Sequence, residues 1–346
     1  MTPISSALAL CKPVDIPASS HRQDERDVRF RDRIQSAHSY SFERTSNVAI
    51  LGVPQDIGVQ RNGGRVGASK APEVIREFLW RLTVSSGVEE LPADFQVIDA
   101  GDVQCDGCSL EEIQERQYKI VRALLDVSES VIVLGGGHDI AFASARALAS
   151  TCDSLGVVNV DAHLDVRPLI AQEDARLAHS GSPFRQILEN PSIHIPRGCF
   201  VEFGIQPFVA AAHHIEYVLT KGHQVLLLND VRALGVETAF TAAVSSIASS
   251  TVKTAENAKE SKGSLYCSFD MDAVASAYAP GVSAPASDGF SAQQMIEMVR
   301  IAASQSSCRV LDLVEVNPAY DTDSRTARLA AILIAHAIWQ KSQLSV

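Results

Sequence analysis

Eight short runs of apolar and β-branched residues recur along the chain, and segments with helical periodicity lie between several of them. The runs are NVAILGV (47–53), FQVIDA (95–100), VIVLG (131–135), LGVVNV (155–160), CFVEFG (199–204), QVLLLND (224–230), SLYCSFD (264–270) and RVLDLVEV (309–316). Amphipathic helices are predicted over APEVIREFLWRL (71–82), SLEEIQERQYKIVRALLDV (109–127) and SAQQMIEMVRIAAS (291–304). Strands apolar along their whole length are buried on both faces, and their alternation with helices implies an α/β fold with a parallel sheet covered on each side. Eight strands in one sheet account for 346 residues without a second domain.

Residues 1–45 read as an N-terminal extension, whose charged part HRQDERDVRFRDRIQ (21–35) is expected to be helical. Residues 46–346 read as a single domain. Within it, 236–263 is expected to be a helix followed by a polar linker. The apolar N-terminal residues lack the basic flank of a secretory signal, and no apolar run approaches the ~20 residues of a membrane-spanning helix. These features point to the cytosol and away from membranes. A net charge of −11 disfavours a nucleic-acid partner, because phosphate binding relies on clustered Lys and Arg. Seven scattered cysteines, an odd number, do not form a disulfide framework, and the lone pair Cys105 and Cys108 reads as loop thiols.

Three polar clusters interrupt the ends of these runs. LGGGHD (134–139) places His138 and Asp139 after three glycines that permit a sharp turn and close backbone approach. VNVDAHLDV (158–166) carries Asp161, His163 and Asp165, and SFDMD (268–272) carries Asp270 and Asp272. If the strands continue through these positions, residues two apart share a face and crowd together in a low-dielectric place. Unpaired buried carboxylates there are costly. Two divalent cations would cancel the charge of the four aspartates. An oxygen-rich set with some imidazole and no thiolate suits Mn²⁺ better than a Cys-type zinc site.

The three motifs, in this order, together with EVNPAYD (315–321), resemble the ureohydrolase family of arginases, agmatinases and formimidoylglutamases over roughly residues 47–335. That resemblance implies a three-layer α/β/α sandwich on an eight-stranded parallel sheet, two Mn²⁺ per chain and a homo-oligomer. It implies that His138, Asp161, Asp165 and Asp270 hold one ion, that Asp161, His163, Asp270 and Asp272 hold the other, and that Asp161 and Asp270 bridge them. Glu315 matches the family's carboxylate for a cationic amidine or guanidine.

Departures narrow the branch. Ala275 and Ser276 stand where arginases and agmatinases usually carry Asp-Pro, and Ser180 replaces their loop histidine, with His179 beside it expected at the surface. RNGGRVGASKAP (61–72), SGSPFRQ (180–186) and APGVSAPA (279–286) look like the formimidoylglutamase branch. Arg167, two residues after Asp165, offers a fork for a carboxylate, which the small amino-acid substrate N-formimidoyl-L-glutamate has twice over and agmatine lacks. Asn62, Arg65, Ser180 and Arg185 are further candidates for substrate binding. The implied reaction is hydrolysis to L-glutamate and formamide, a step of histidine degradation, with Glu315 and Asp165 as catalytic residues and Asp165 as proton carrier. Alternatives are a guanidino-acid hydrolase such as an agmatinase, a metal-free regulatory homologue, and the single-zinc deacetylase branch of the same fold.

Overall fold

All eight expected strands form, and they lie side by side in one sheet. The structure is a computed structural model that describes residues 2–18, 24, 26–43, 45–172, 175–253 and 263–344. In chain order the sheet's strands are β1 (Cys11–Lys12), β2 (Ile34–Ser36), β3 (Ser46–Gly52), β4 (Val97–Val103), β5 (Ser128–Leu134), β6 (Ser154–Val160), β7 (Phe200–Ile205), β8 (Gln224–Leu227), β9 (Gly263–Asp270) and β10 (Cys308–Val314). Their spatial order is β1-β4-β3-β5-β10-β9-β6-β7-β8, with β2 also on β4. Every pairing in this sheet is parallel except that of β1 with β4.

Two of these strands correct the expected count of eight. β1 pairs Cys11 with Val103, and β2 pairs Ile34 with Val97, so both cover the outer edge of β4. A covered edge removes a template for unwanted pairing. Runs of two and three residues carry no readable period, so neither strand shows in the sequence pattern. The charged segment is helical only over Phe30–Arg33 among its described residues, while the apolar start forms α1 (Pro3–Leu8). The run at 224–230 stops at Leu227, and α7 (Leu228–Leu234) follows directly.

The larger helices are α2 (Ala71–Leu79), α3 (Leu110–Val127), α4 (Ala141–Ala149), α5 (Pro183–Glu189), α6 (Ala212–Thr220), α8 (Val236–Lys253), α9 (Ala292–Ala303) and α10 (Arg325–Ser342). Capping boxes start two of them: Ser109 with Glu112 for α3, and Ser291 with Gln294 for α9. The polar linker expected after α8 lies outside the described residues at 254–262.

Alternation along each strand divides the interior into two cores. Val48 and Ile50 pack with α2, α7, α8, α9 and α10 on one face. Ala49 and Leu51 pack with α1, α3, α4, α5 and α6 on the other. The result is a three-layer α/β/α sandwich.

Four adjacent strands, β5, β10, β9 and β6, carry the polar motifs at their C-terminal ends. Parallel register levels those ends: Leu134 pairs with Leu313, Val314 with Asp270, and Phe269 with Val160. The chain reaches β5, then β6, and later fills the gap between them with β9 and β10. Such a change of direction in strand order opens the crevice where α/β sheets bind ligands.

Candidate metal centre

The glycines after β5 serve close approach and not a sharp turn, since none has a positive φ. A Cβ on Gly136 would lie 1.7 Å from the Gln55 carbonyl oxygen, which no side chain could tolerate. The loop is stitched to its neighbours through Gly136 N to Val53 O at 3.0 Å and Glu315 N to Gly136 O at 2.9 Å. This brings His138 in fully buried. Its Nε2 lies 2.9 Å from Ser268 Oγ. With Nε2–H donating there, Nδ1 is left as the nitrogen available to a metal.

The strand does not continue through DAHLD as expected. β6 ends at Val160, and Asp161 to Asp165 turn away as a loop, with Asp165 at φ 47°. A non-glycine residue in that region is strained by on the order of 1–3 kcal/mol. Convergence comes instead from a local turn used twice. His163 N donates to Asp161 Oδ1 at 2.8 Å, and Asp272 N donates to Asp270 Oδ1 at 2.7 Å. Each aspartate pins one oxygen on the amide two residues on, which leaves Oδ2 directed at His138.

Around His138 Nδ1 stand Asp270 Oδ2 at 2.8 Å, Asp165 Oδ2 at 3.1 Å and Asp161 Oδ2 at 3.3 Å. Despite these distances Nδ1 has no hydrogen-bond partner among the described residues. One donor atom from each of the four residues lies within 4.8 Å of the others. His163 and Asp272 flank this group. His163 Nδ1 is 3.4 Å from Asp161 Oδ1, and Asp272 is buried with Oδ1 accepting from Ala284 N at 3.0 Å.

Glu315 follows β10 at φ 63°, the second strained non-glycine in the centre. Its Oε1 accepts from His138 N at 2.6 Å, while the buried Oε2 has no hydrogen-bond partner.

The electrostatics are those of excess negative charge. Burial, reinforced by the neighbouring Asp161 charge, pushes Asp270 up to about 7. Burial and the Asp270 charge push both Asp272 and Glu315 well above the usual carboxylate range. Burial alone would lower His138 and His163, but the facing carboxylates outweigh it: His138 is raised well above its ordinary value, and His163 to about 9. Buried carboxylates, an unpartnered imidazole nitrogen and no thiolate fit a pair of hard-to-borderline divalent cations such as Mn²⁺.

At the rim, Arg167 Nη1 donates to Asn62 Oδ1 at 3.1 Å, and Asn62 Nδ2 donates to Ser180 Oγ at 3.1 Å. These three expected residues therefore meet. Arg167 is exposed and makes no ion pair among the described residues. Arg65 is committed to the Val282 and Ser283 carbonyls and lies 4.2 Å over the Tyr320 ring. Arg185 does not join the rim set: Nε donates to Val166 O at 2.7 Å, Nη1 meets Glu189 at 3.0 Å, and its plane covers Tyr217. His179, expected at the surface, is buried. Its Nδ1 accepts from Gly181 N at 3.2 Å, and Nε2 lies 3.1 Å from Pro168 O.

The model of the arginase family matches residues 46–339. The chain belongs to the arginase family. Within that family it is 32% identical to a formimidoylglutamase of Ralstonia nicotianae, covering 84% of each chain. It is 32% identical to a formimidoylglutamase of Aeromonas hydrophila, covering 94% of this chain and 98% of the relative. A crystal structure of Trypanosoma cruzi formiminoglutamase with Mn²⁺ superposes with a TM-score of 0.76 at 34% identity, covering 86% of this chain and 94% of that one.

Several residues behind the centre of this arginase-family chain escaped the sequence reading. Ser268 orients His138. Asn159 Nδ2 lies 3.5 Å from Asp161 Oδ2 and donates to the fully buried Glu202 at 2.8 Å. Gln55 Nε2 donates to buried Asp139 at 2.7 Å, and burial pushes that carboxyl up to about 7. The available signal was a polar side chain inside an otherwise apolar run, as Asn159 is in LGVVNV and Glu202 in CFVEFG.

Proposed function

We propose that the chain is a formimidoylglutamase, hydrolysing N-formimidoyl-L-glutamate to L-glutamate and formamide. The observation that carries this reading is Arg167: an exposed guanidinium with no carboxylate partner among the described residues, held by Asn62, which Ser180 engages in turn, two residues from a strained metal-ligand candidate. The formimidoylglutamase relatives support the same substrate, and the guanidino-acid alternative is not favoured. All six ligand positions are present, which speaks against a metal-free homologue and against a single-zinc site.

In this reading His138, Asp161, Asp165 and Asp270 would hold one Mn²⁺, and His163 and Asp272, with Asp161 and Asp270, would hold a second. When bound, the metals supply Lewis acidity and lower the pKa of water at the site. Glu315 receives the cationic amidine on Oε2. Its other oxygen is fixed by the His138 amide, so the acceptor is oriented before substrate arrives. Arg167, steadied by Asn62 and Ser180, takes a glutamate carboxylate and fixes the far end. Arg65 keeps the Val282–Ser283 backbone against Glu315, through Ser283 N to Glu315 O at 3.2 Å. Asp165 carries a proton to the departing glutamate nitrogen as the C–N bond breaks. The water oxygen leaves in formamide.

Residues 46–346 form the catalytic unit in this reading, with 1–45 as the segment that covers the sheet edge. No helix of the described residues is long and apolar enough to cross a membrane. The reading extends to a cytosolic, homo-oligomeric enzyme with a small-molecule substrate and no nucleic-acid partner.

A product assay on Mn²⁺-loaded protein tests it, offering N-formimidoyl-L-glutamate, arginine, agmatine and guanidinobutyrate in parallel. Formamide from the first alone is expected. Urea from a guanidino substrate would overturn the substrate assignment.

A further inference from the structure

One ion pair outside the metal centre grips a loop of the rim. Arg61 ends the short helix Ile57–Arg61, and Glu111 lies in the first turn of α3. They meet as a fork, with Nη1 2.7 Å from Oε1 and Nη2 3.2 Å from Oε2. The same fork grips both backbone groups of buried Ala178: Arg61 Nη1 donates to its carbonyl at 2.8 Å, and Glu111 Oε1 accepts from its amide at 3.2 Å. Ala178 separates the hairpin formed by Ile170–Gln172 and Ala175–Leu177 from Ser180. Asn62 follows Arg61 in the chain and bonds both Ser180 and Arg167. Backbone contacts complete the join, through Ser180 N to Gly58 O at 3.1 Å and Arg167 N to Gly181 O at 2.8 Å.

An ordinary surface ion pair joins two flexible side chains and contributes little. This one engages both the amide and the carbonyl of one buried residue, so it fixes the two consecutive peptide units that flank Ala178. Hydrogen bonds thus tie the 57–62, 165–168 and 178–181 segments to one another. We propose that the Arg61–Glu111 pair is a positioning and specificity-determining device, which sets the distance from the acid cluster to Arg167 and so selects amidines that end in a carboxylate. The proposal rests on the function proposed above. Neither residue touches substrate; they act through Asn62, Ala178 and Arg167.

The test compares wild type with Glu111→Gln, Arg61→Met and Arg61→Lys, all Mn²⁺-loaded with metal content checked. Substrates are N-formimidoyl-L-glutamate and N-butylformamidine, which has the amidine and no carboxylate. In Glu111→Gln and Arg61→Met, KM for the glutamate derivative is expected to rise about tenfold with kcat held within about twofold. The kcat/KM for N-butylformamidine is expected to stay within about twofold, which compresses the ratio between the two substrates. Arg61→Lys keeps the charge but cannot reach Glu111 and the Ala178 carbonyl together, so it behaves like Arg61→Met. Hydrogen exchange of amides 175–181 is expected to quicken in all three. Equal losses on both substrates, a fall in kcat with KM unmoved, rescue by Arg61→Lys, or unchanged exchange of those amides would each overturn the proposal. Wild type inactive on the glutamate derivative would sink the functional reading, and the exchange data would still decide whether the pair holds the rim.

Discussion

Two buried clusters of charge lie on the strands of the same sheet, and they are solved in opposite ways. At β4, Arg76 is 1% exposed and forks onto Asp99, with Nε at 2.8 Å and Nη2 at 3.0 Å. Its remaining donor edge takes Asp102 and the Gly101 carbonyl. Asp99 also accepts from Gly101 N at 2.9 Å. Burial alone would lower the Arg76 pKa, but the two carboxylates raise it overall. That cluster contains its own cation. The cluster at β5, β6 and β9 gathers carboxylates around an imidazole, with His138 Nδ1 and, nearby, Glu315 Oε2 left unpartnered. Burial of acids is common to both. What distinguishes a ligand site is charge imbalance together with donor atoms aimed at no protein partner.

The comparison breaks most sharply on Arg76→Met. Removing the cation strands Asp99 in the interior, and losing one partner of a buried pair costs about 3–5 kcal/mol. Chemical denaturation should show that loss, while kcat of the remaining folded enzyme is unchanged. A wild-type-like denaturation midpoint would mean that the β4 cluster is not closed as described.

Asp270→Asn should do the reverse. It deletes a ligand candidate from a cluster with too much negative charge. Formamide release is expected to fall by about a hundredfold or more, since even the partners of metal ligands matter by 10–100-fold. Manganese per chain, read by mass spectrometry, should fall as well. In the presence of a chelator the variant should melt no lower than wild type, because one buried charge has gone. A lower melting temperature there would show that the acids stabilise one another without metal.

A smaller effect follows from Arg167→Met, which leaves both clusters intact. Losing a hydrogen bond to a charged group costs about 1.5–3 kcal/mol, or roughly ten- to a hundredfold in kcat/KM, carried mainly by KM. Unchanged KM for N-formimidoyl-L-glutamate would move carboxylate recognition elsewhere.

The two clusters also divide what the sequence made legible. FQVIDAGD and VNVDAHLD both read as apolar strands ending in spaced acids, and nothing local says that the first finds an arginine from α2. The second was recognisable because His138, Asp270 and Asp272 repeat the pattern on other strands. Strand positions were legible because burial on both faces writes itself as unbroken apolar runs. β1 and β2 were not, because an edge pairing of two or three residues leaves no period. The turn at Asp161 and Asp270 was hidden too, since an amide bonding back to a carboxylate looks, in sequence, like a strand that continues. The burial of His179 was hidden for a related reason: its ring bonds backbone groups, Gly181 N and Pro168 O, which no local apolar pattern announces.

His179 supplies the smallest and most specific effect, and it is a neutral contact set against two charged clusters. Its Nδ1 can accept from Gly181 N only while unprotonated, and the neutral ring then donates from Nε2 to Pro168 O. Burial lowers its pKa below the ordinary histidine value. The folded form therefore binds its proton less readily than the unfolded chain. The contribution of this contact is complete above the ordinary value of about 6.5 and is lost as pH falls through that value towards the lowered one. Because Gly181 O holds Arg167 N, the consequence is local. KM for N-formimidoyl-L-glutamate should rise a few-fold between about pH 7 and about pH 5.5, at saturating Mn²⁺ and with metal content checked at each point. His179→Gln should flatten that limb, because an amide does not titrate there. Loss of metal over the same range would instead lower activity in both proteins alike. A KM that stays level in wild type with full metal would show that the rim does not depend on the neutral ring.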